Sequence, residues 1–512
     1  MKNDDSLGVV EDIHDHPSGA IATKAAPRAI IVDLNRFTSF PTLAIGLLTA
    51  ALRARGCSVR VICLLALGMP AAVREREEGW KDDLRRRIRL TEVPVVRRFR
   101  DASRPIREWF GHRTGSKVQG EIHKAISDGA DVILLSAYLE NLASVKAIAA
   151  IGKANNIPVV LGGPMFNLSP VSEAWRTIPG ITAVVGAEAE RDLPDLLEAV
   201  CAGKDLLRFR GVTLPSGEKS PAAPPLRKLD QSHFPDYTDF PWDRYPNRII
   251  PMMSGRGCQW DKCTFCSDVI SASGRTFRTR SVENVLVEME TQAERHNAKD
   301  FMFLDLKLNS FPAMLRGISK SIQTYVPGAQ WIGTVHVDQR PDNGLTRREL
   351  FDASAAGMRR VSFGLESGSQ RLLDAMYKGC TVTQNARFLR NAYDAGLSVR
   401  CTMFKGYPGE VAQDMQATAD FLEQNARYID RIRFNDFALL LGTPIHAAVT
   451  SKADAVRDLE GVVEQGWRAQ SSYNTRQTDR AYRTALSRVL ATVYEINRKP
   501  MRAGAVQFDG LM

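Results

Sequence analysis

The chain has 512 residues, more than one hydrophobic core usually serves, so at least two domains are expected. Hydrophobic residues make up 44%, charged residues 25% and aromatics 8%, the balance of an ordinary globular protein. Apolar runs such as VILLSAYL at 132–139 fall short of the ~20 residues that cross a bilayer. The N-terminus MKNDDSLGVVEDIHDH lacks the apolar stretch of a secretory signal. A cytoplasmic protein with no membrane partner is the expectation.

Residues 1–26 read as a mobile tail. A strand–helix alternation then begins: AIIVDL (29–34), a helix from Leu43 to Arg55 stopped by Gly56, and the strand SVRVICLL (58–65). A basic stretch follows, with 14 Lys and Arg against 8 Asp and Glu over 71–118. Beyond it come a helix near 117–128, the strand DVILLSA (131–137), a helix at 142–154, the strands VVLGG (159–163) and ITAVVG (181–186), and a helix at 193–200. Short apolar strands between helices predict an α/β, doubly wound, Rossmann-like domain over 27–205 with a covered parallel sheet.

Residues 206–247 are rich in Pro, Gly and Ser and read as a linker. From 248 the alternation resumes, with strands at 248–254, 301–306, 330–337, 359–366, 398–406 and 431–440. Helices are predicted at 281–296, 312–325, 346–356, 369–376, 383–395 and 411–425. Six βα units predict a partial (β/α)6 barrel over 248–449, whose reactive groups gather at the strand C-termini. Residues 450–512 read as a basic, helical C-terminal region.

Five of the eight cysteines stand singly, at 57, 63, 201, 380 and 401. The other three, Cys258, Cys263 and Cys266, form C-x4-C-x2-C in SGRGCQWDKCTFCSD, directly after the first barrel strand. Three thiolates on one loop can hold three corners of an iron–sulfur cubane and leave the fourth iron open. Structural zinc would want a fourth Cys or His close by, and His233 and His296 are both remote in sequence.

This loop at the head of a (β/α) barrel resembles the radical S-adenosylmethionine (SAM) superfamily, with one residue more than the usual C-x3-C-x2-C spacing. Further segments resemble that family in order: FRTRS (277–281), FLDLKLN (303–309), FGLESGSQRLLDAMYKGCT (363–381), MFKGYPGE (403–410) and LLGTP (440–444). The resemblance implies a 4Fe–4S cluster on Cys258, Cys263 and Cys266, which are thereby the catalytic and metal-binding residues. It also implies SAM held by Asp305, Glu366, Ser367 and Gly406.

Residues 27–205 resemble the cobalamin-binding domain found ahead of many such barrels, through AIIVDL, DVILLSAYLENLASVKAIAAI, VVLGGPMFN and VVGAEAERDLPDLLEA. Relatives carry a Gly-Glu-Gly-Glu string where this chain has Gly186-Ala187-Glu188-Ala189-Glu190. Doubly wound sheets bind ligands beyond the strand C-termini. Asn35, Arg36 or Phe37, with Ser136, Gly162, Gly163, Gly186 and Glu188, are therefore the implied cobalamin contacts. DIHDHP (12–17) imitates a cobalt-binding histidine motif, but it precedes the first strand and has Pro17 in place of glycine. The loop NRFTSFP (35–41) has no histidine, so cobalamin without histidine ligation is expected.

The implied activity is a cobalamin-dependent radical SAM enzyme that methylates an unactivated carbon of a small molecule or peptide. In that family the deoxyadenosyl radical takes hydrogen from the substrate, and methylcobalamin supplies the methyl group. A cyclising, rearranging or oxidising enzyme of the same family remains the alternative. A tRNA methylthiotransferase would want an auxiliary cluster from cysteines such as Cys57, Cys63 and Cys201, which are dispersed here. A non-catalytic cofactor-binding protein would leave the strand-end motifs without purpose. The basic patches at 71–118 and 469–502 suit an anionic substrate or leader peptide, while nucleic acid is not an expected partner. The chain shows no flavin or ferredoxin motif, so the electron must come from an external one-electron reductant of flavodoxin or ferredoxin type.

Overall fold

The computed structural model describes residues 26–35, 39–69, 76–102, 116–266, 277–338, 344–452, 459–475 and 479–511. The N-terminal tail with DIHDHP, and Arg36 and Phe37, lie outside these residues.

The first sheet is built from β1 (Arg28–Asp33), β2 (Ser58–Cys63), β3 (Val132–Ser136), β4 (Val159–Gly162), β5 (Ala183–Val185) and β6 (Val212–Thr213). Its spatial order is β2-β1-β3-β4-β5-β6. The first five strands are parallel, and β6 pairs antiparallel with β5. β1, β3, β4 and β5 are almost wholly buried, mostly Val, Ile, Leu and Ala, because helices cover both faces, whereas the edge strand β2 is half-buried. The order reverses between β1 and β3, which makes their C-terminal ends the switch point where such sheets take ligands. Residues 206–247 are more than a linker, since β6 extends this sheet.

The second sheet runs through β7 (Ile249–Met252), β10 (Asp300–Phe303), β11 (Gln330–Val335), β12 (Met358–Glu366), β13 (Ser398–Lys405) and β14 (Arg431–Asp436). Every neighbouring pair is parallel and the spatial order follows the chain. That is the winding of a partial (β/α)6 barrel with β7 and β14 as edges. A short antiparallel pair, β8 (Gly255–Arg256) with β9 (Arg278–Thr279), flanks the cysteine loop. Three of the barrel helices begin at side-chain caps: Ser281 accepts from the Asn284 N–H, and Thr346 and Thr381 form capping boxes with Glu349 and Gln384.

Residues 450–512, expected to be helical, are helical only in part, and two strands there join one from the preceding segment. β15 (Leu439–Leu440), β16 (Leu459–Gln465) and β17 (Gln470–Thr475) make an antiparallel sheet before the helix Arg480–Asn497. LEGVVEQ and QSSYNT carry a few strand-forming residues without regular alternation, and neither is apolar enough to stand out. The final segment packs Phe508 and Leu511 with Ile249, Met302 and Ile332. Arg360, fully buried, donates to the Phe508 carbonyl at 2.8 Å, and Arg431 donates to the Lys499 carbonyl at 2.8 Å. Both arginines stand near strand N-termini, so the C-terminal segment closes the barrel at the end opposite its reactive mouth.

Candidate active site at the barrel mouth

The cysteine loop leaves β8 through Gly257, whose φ of 79° favours glycine. Trp260 Nε1 donates to the Tyr377 carbonyl at 2.7 Å, and the Thr264 N–H donates to the Met376 carbonyl at 3.0 Å. The loop is thus tied on both sides of Cys263 to the turn 376–380. Phe265 packs against Phe404 and Phe437 at 5.3 and 6.3 Å between ring centres. None of the eight cysteines is in a disulfide.

The strand ends around this loop carry charged groups in a regular order. Asp305, after β10, is buried and accepts from the Ser254 N–H at 3.0 Å and the Ser254 hydroxyl at 2.6 Å. Burial pushes its carboxyl up to about 6, although the Ser254 hydrogen bonds oppose the shift. Lys307 pairs with Asp338, both buried, across the ends of β10 and β11. Glu366, closing β12, adopts a φ of 60°, a left-handed conformation that a side chain rarely takes without cause. Its carboxylate accepts from Lys378 Nζ at 2.8 Å, and both side chains are buried. The field of Cys263 also acts on this lysine.

Gly406 follows β13 with a φ of 82° and open space where a Cβ would stand. Its N–H donates to Glu410, and its carbonyl accepts from the Tyr473 hydroxyl at 2.5 Å. Glu410 also accepts from the Tyr482 hydroxyl at 3.0 Å. Burial pushes Glu410 up to about 7. Lys405 pairs with Asp436 at 2.8 Å and with Glu92, which arrives from the basic stretch of the first domain.

Cys258, Cys263, Cys266, Asp305, Glu366 and Gly406 therefore gather at or beside one mouth. Ser367 does not present its hydroxyl there: the Oγ faces Thr418 Oγ1 at 3.1 Å and accepts from the Ser369 N–H at 3.1 Å. Glu188 is likewise engaged, accepting from Arg278 Nη1 at 2.6 Å and from the Leu226 N–H at 2.8 Å. Burial would raise its carboxyl, but Arg278 and Arg256 hold it below the usual carboxylate range. Glu190 pairs with Arg256. The two glutamates of the GAEAE string thus brace the first domain against the β8–β9 pair. Lys307, Asp338 and Lys378 were not singled out in the sequence, although LDLKLN puts Lys307 two residues from Asp305 and Lys378 lies in the same FGLESGSQRLLDAMYKGCT segment as Glu366.

In the first domain, Asp33 ends β1 as a buried carboxyl that accepts from Thr42 Oγ1 at 2.7 Å and the Asn35 N–H at 3.0 Å. Burial pushes it up to about 6. Asn35, Ser136, Tyr138 and Gly162 are all at least partly exposed along the ends of β1, β3 and β4. Gly163 and Gly186 serve packing: a Cβ on them would lie 2.3 Å from the Ala137 carbonyl oxygen and 2.5 Å from the Phe166 carbonyl oxygen.

Residues 252–422 match the model of the Radical SAM superfamily. The barrel is a radical SAM domain. The chain is 28% identical to an uncharacterized methyltransferase of Pyrococcus horikoshii over 57% of its own length and 64% of that protein's. It is 24% identical to the bacteriochlorophyllide d C-12(1)-methyltransferase of Chlorobaculum tepidum, covering 69% of this chain and 71% of that one. The radical SAM methyltransferase TsrM from Kitasatospora setae, solved with cobalamin and a 4Fe–4S cluster, shares the fold at a TM-score of 0.62 and 17% identity, covering 91% of each chain. The radical SAM domain and the doubly wound domain thus recur together in solved proteins. No helix among the described residues is long and apolar enough to cross a membrane.

Among the described residues no three His, Cys, Asp or Glu side chains already stand close enough together to hold a metal ion. The fit to an iron–sulfur cluster rests instead on the donor set, three thiols within nine residues at the barrel mouth, and on Lys378 beside Cys263 to offset thiolate charge. For a corrin, the observation is a partly exposed rim of small and polar residues at the switch point.

Proposed function

We propose that the protein is a cobalamin-dependent radical SAM enzyme that methylates an unactivated carbon of a small molecule or peptide. The observation that carries this reading is the joining of a doubly wound 2-1-3-4-5 sheet to a barrel whose first loop bears three cysteines. When bound, the cluster supplies one-electron cleavage of SAM and the cobalamin supplies the methyl group. Cys258, Cys263 and Cys266 would hold the cluster, with Asp305, Glu366 and Gly406 around SAM. Asp305 is positioned by Ser254, and Glu366 by Lys378. The space where a Cβ of Gly406 would stand is open, which supports an approach by SAM at the end of β13. Asn35, Ser136 and Gly162 would meet the cobalamin, whose lower face has no histidine in the loop after β1 to ligate it.

The test is anaerobic reconstitution with iron, sulfide and methylcobalamin, followed by SAM and a low-potential reductant. Both 5′-deoxyadenosine and S-adenosylhomocysteine, each lost in Cys263→Ala, support methyl transfer. Deoxyadenosine alone supports a cyclising or oxidising enzyme. That second reading is favoured by 27% identity to the anaerobic magnesium-protoporphyrin IX monomethyl ester cyclase of Rubrivivax gelatinosus, over 51% of this chain. Neither product, with iron bound at full stoichiometry, overturns the catalytic reading.

A further inference from the structure

The basic stretch is not accounted for by the chemistry at the barrel mouth. Its described part forms two helices packed against each other, Trp80–Arg89 and Pro94–Ala102. One side of this pair is fixed to the barrel. Arg89 donates to the Phe434 carbonyl at 3.1 Å and to Asn435 Oδ1 at 3.2 Å, and Glu92 pairs with Lys405.

The other side leaves large apolar side chains in water. Trp80, Leu84 and Ile88, one helical turn apart, are 65%, 49% and 43% exposed, and Val95 and Phe99 are 75% and 77% exposed. Seven of the seventeen large apolar side chains exposed among the described residues lie between positions 80 and 99. Such a concentration marks a binding surface, whereas single exposed apolar residues do not. Residues 80–102 also carry eight Lys and Arg against four Asp and Glu. Several of these cations are engaged, Arg86 by Glu78, Arg87 by Asp83, Arg97 by Glu92 and Arg89 by the barrel. Lys81 and Arg98, and Arg85 at 3.7 Å from Asp82, are exposed beside the apolar positions.

Apolar and aromatic residues on one face of short helices, flanked by cations, is the pattern of helices that lie in a membrane interface. We propose that the 80–102 helix pair is a peripheral docking surface for a bilayer with anionic headgroups. The apolar side chains enter the headgroup–acyl boundary, and the cations meet the lipid charge. The earlier expectation of no membrane partner came from the length of apolar runs, which detects only spanning helices. This surface is independent of the catalytic reading. It would bring a membrane beside the barrel mouth through Arg89 and Glu92.

The full-length chain is sedimented with vesicles of phosphatidylcholine alone and of phosphatidylcholine mixed with phosphatidylserine. The expected result is binding to the mixed vesicles only, weakened by salt. The double variant Val95→Glu/Phe99→Glu should reduce that binding by on the order of tenfold and leave the melting temperature unchanged, since both positions are exposed. Failure to bind the mixed vesicles, or binding undiminished in the variant, overturns the proposal. Self-association by light scattering that the variant abolishes, without vesicle binding, assigns the face to a second copy of the chain and also overturns it.

Discussion

The indole of Trp260 lies across Gly379, so close that a Cβ on Gly379 would stand 2.0 Å from the ring. Gly379 also has a φ of 71°, so a side chain there meets both a steric and a conformational penalty. Trp260 lies between the first two cysteines, in the stretch that the longer spacing enlarges. The enlarged loop thereby gains an anchor on the turn that carries Lys378. Gly379→Val should loosen the loop between residues 258 and 266 in hydrogen exchange and lower the iron retained after reconstitution. Trp260→Phe should lose only the hydrogen bond to Tyr377, about 1 kcal/mol. Unchanged exchange and iron content in Gly379→Val would show that the contact does not order the loop.

Lys378 and Glu366 form a buried pair, and removing one partner leaves the other charge uncompensated. Lys378→Met should destabilise the fold by about 3 kcal/mol, and the double variant Lys378→Met/Glu366→Gln should recover much of that loss. Urea denaturation of the single and double variants measures both. Equal stabilities for the two would mean the pair is not coupled.

Glu410 is protonated more readily in the fold than in the unfolded chain, with burial pushing it from 4.5 to about 7. The folded state therefore binds more protons between those values, and stability falls as pH rises through that window. Below about 4.5 the carboxyl is neutral in both states and contributes nothing to the slope. The melting temperature should decline from pH 5 to 7.5, and Glu410→Gln should flatten that decline. A profile identical to the wild type would remove Glu410 as its source.

Arg256 joins the two domains by meeting Glu190 and, at 3.3 Å, Glu188. Its side chain is 17% exposed, so Arg256→Ala takes this partner from Glu190 in a partly dry contact, while Glu188 keeps Arg278, and should cost about 3 kcal/mol. The loss should be smaller when Glu190→Gln is combined with it. Additive effects, measured by denaturant titration, would argue against the contact.

Much of this architecture is readable along the chain because burial on both faces makes a parallel strand a continuous apolar run. VILLS, AIIV and FMF declare themselves that way. The helices between them end at residues with local mechanisms, such as Gly56 at a φ of 79° and the caps Ser281, Thr346 and Thr381. β16 and β17 were not readable, because they pair with each other as a largely polar hairpin without the apolar alternation that marks a half-buried strand.

The site divides along the same line. Sequence alone singled out the candidate residues: three thiols at fixed spacing, and acids at the ends of predicted strands. Side-chain type and spacing are local properties. Only the tertiary structure decided that Ser367 turns to Thr418 and Glu188 to Arg278, that Lys378 stands with Glu366 beside Cys263, and that Glu92 reaches Lys405. Those partners lie from 12 to 313 residues apart. Their pairing is set by burial, which requires each polar or charged group to find a partner wherever the fold brings one near.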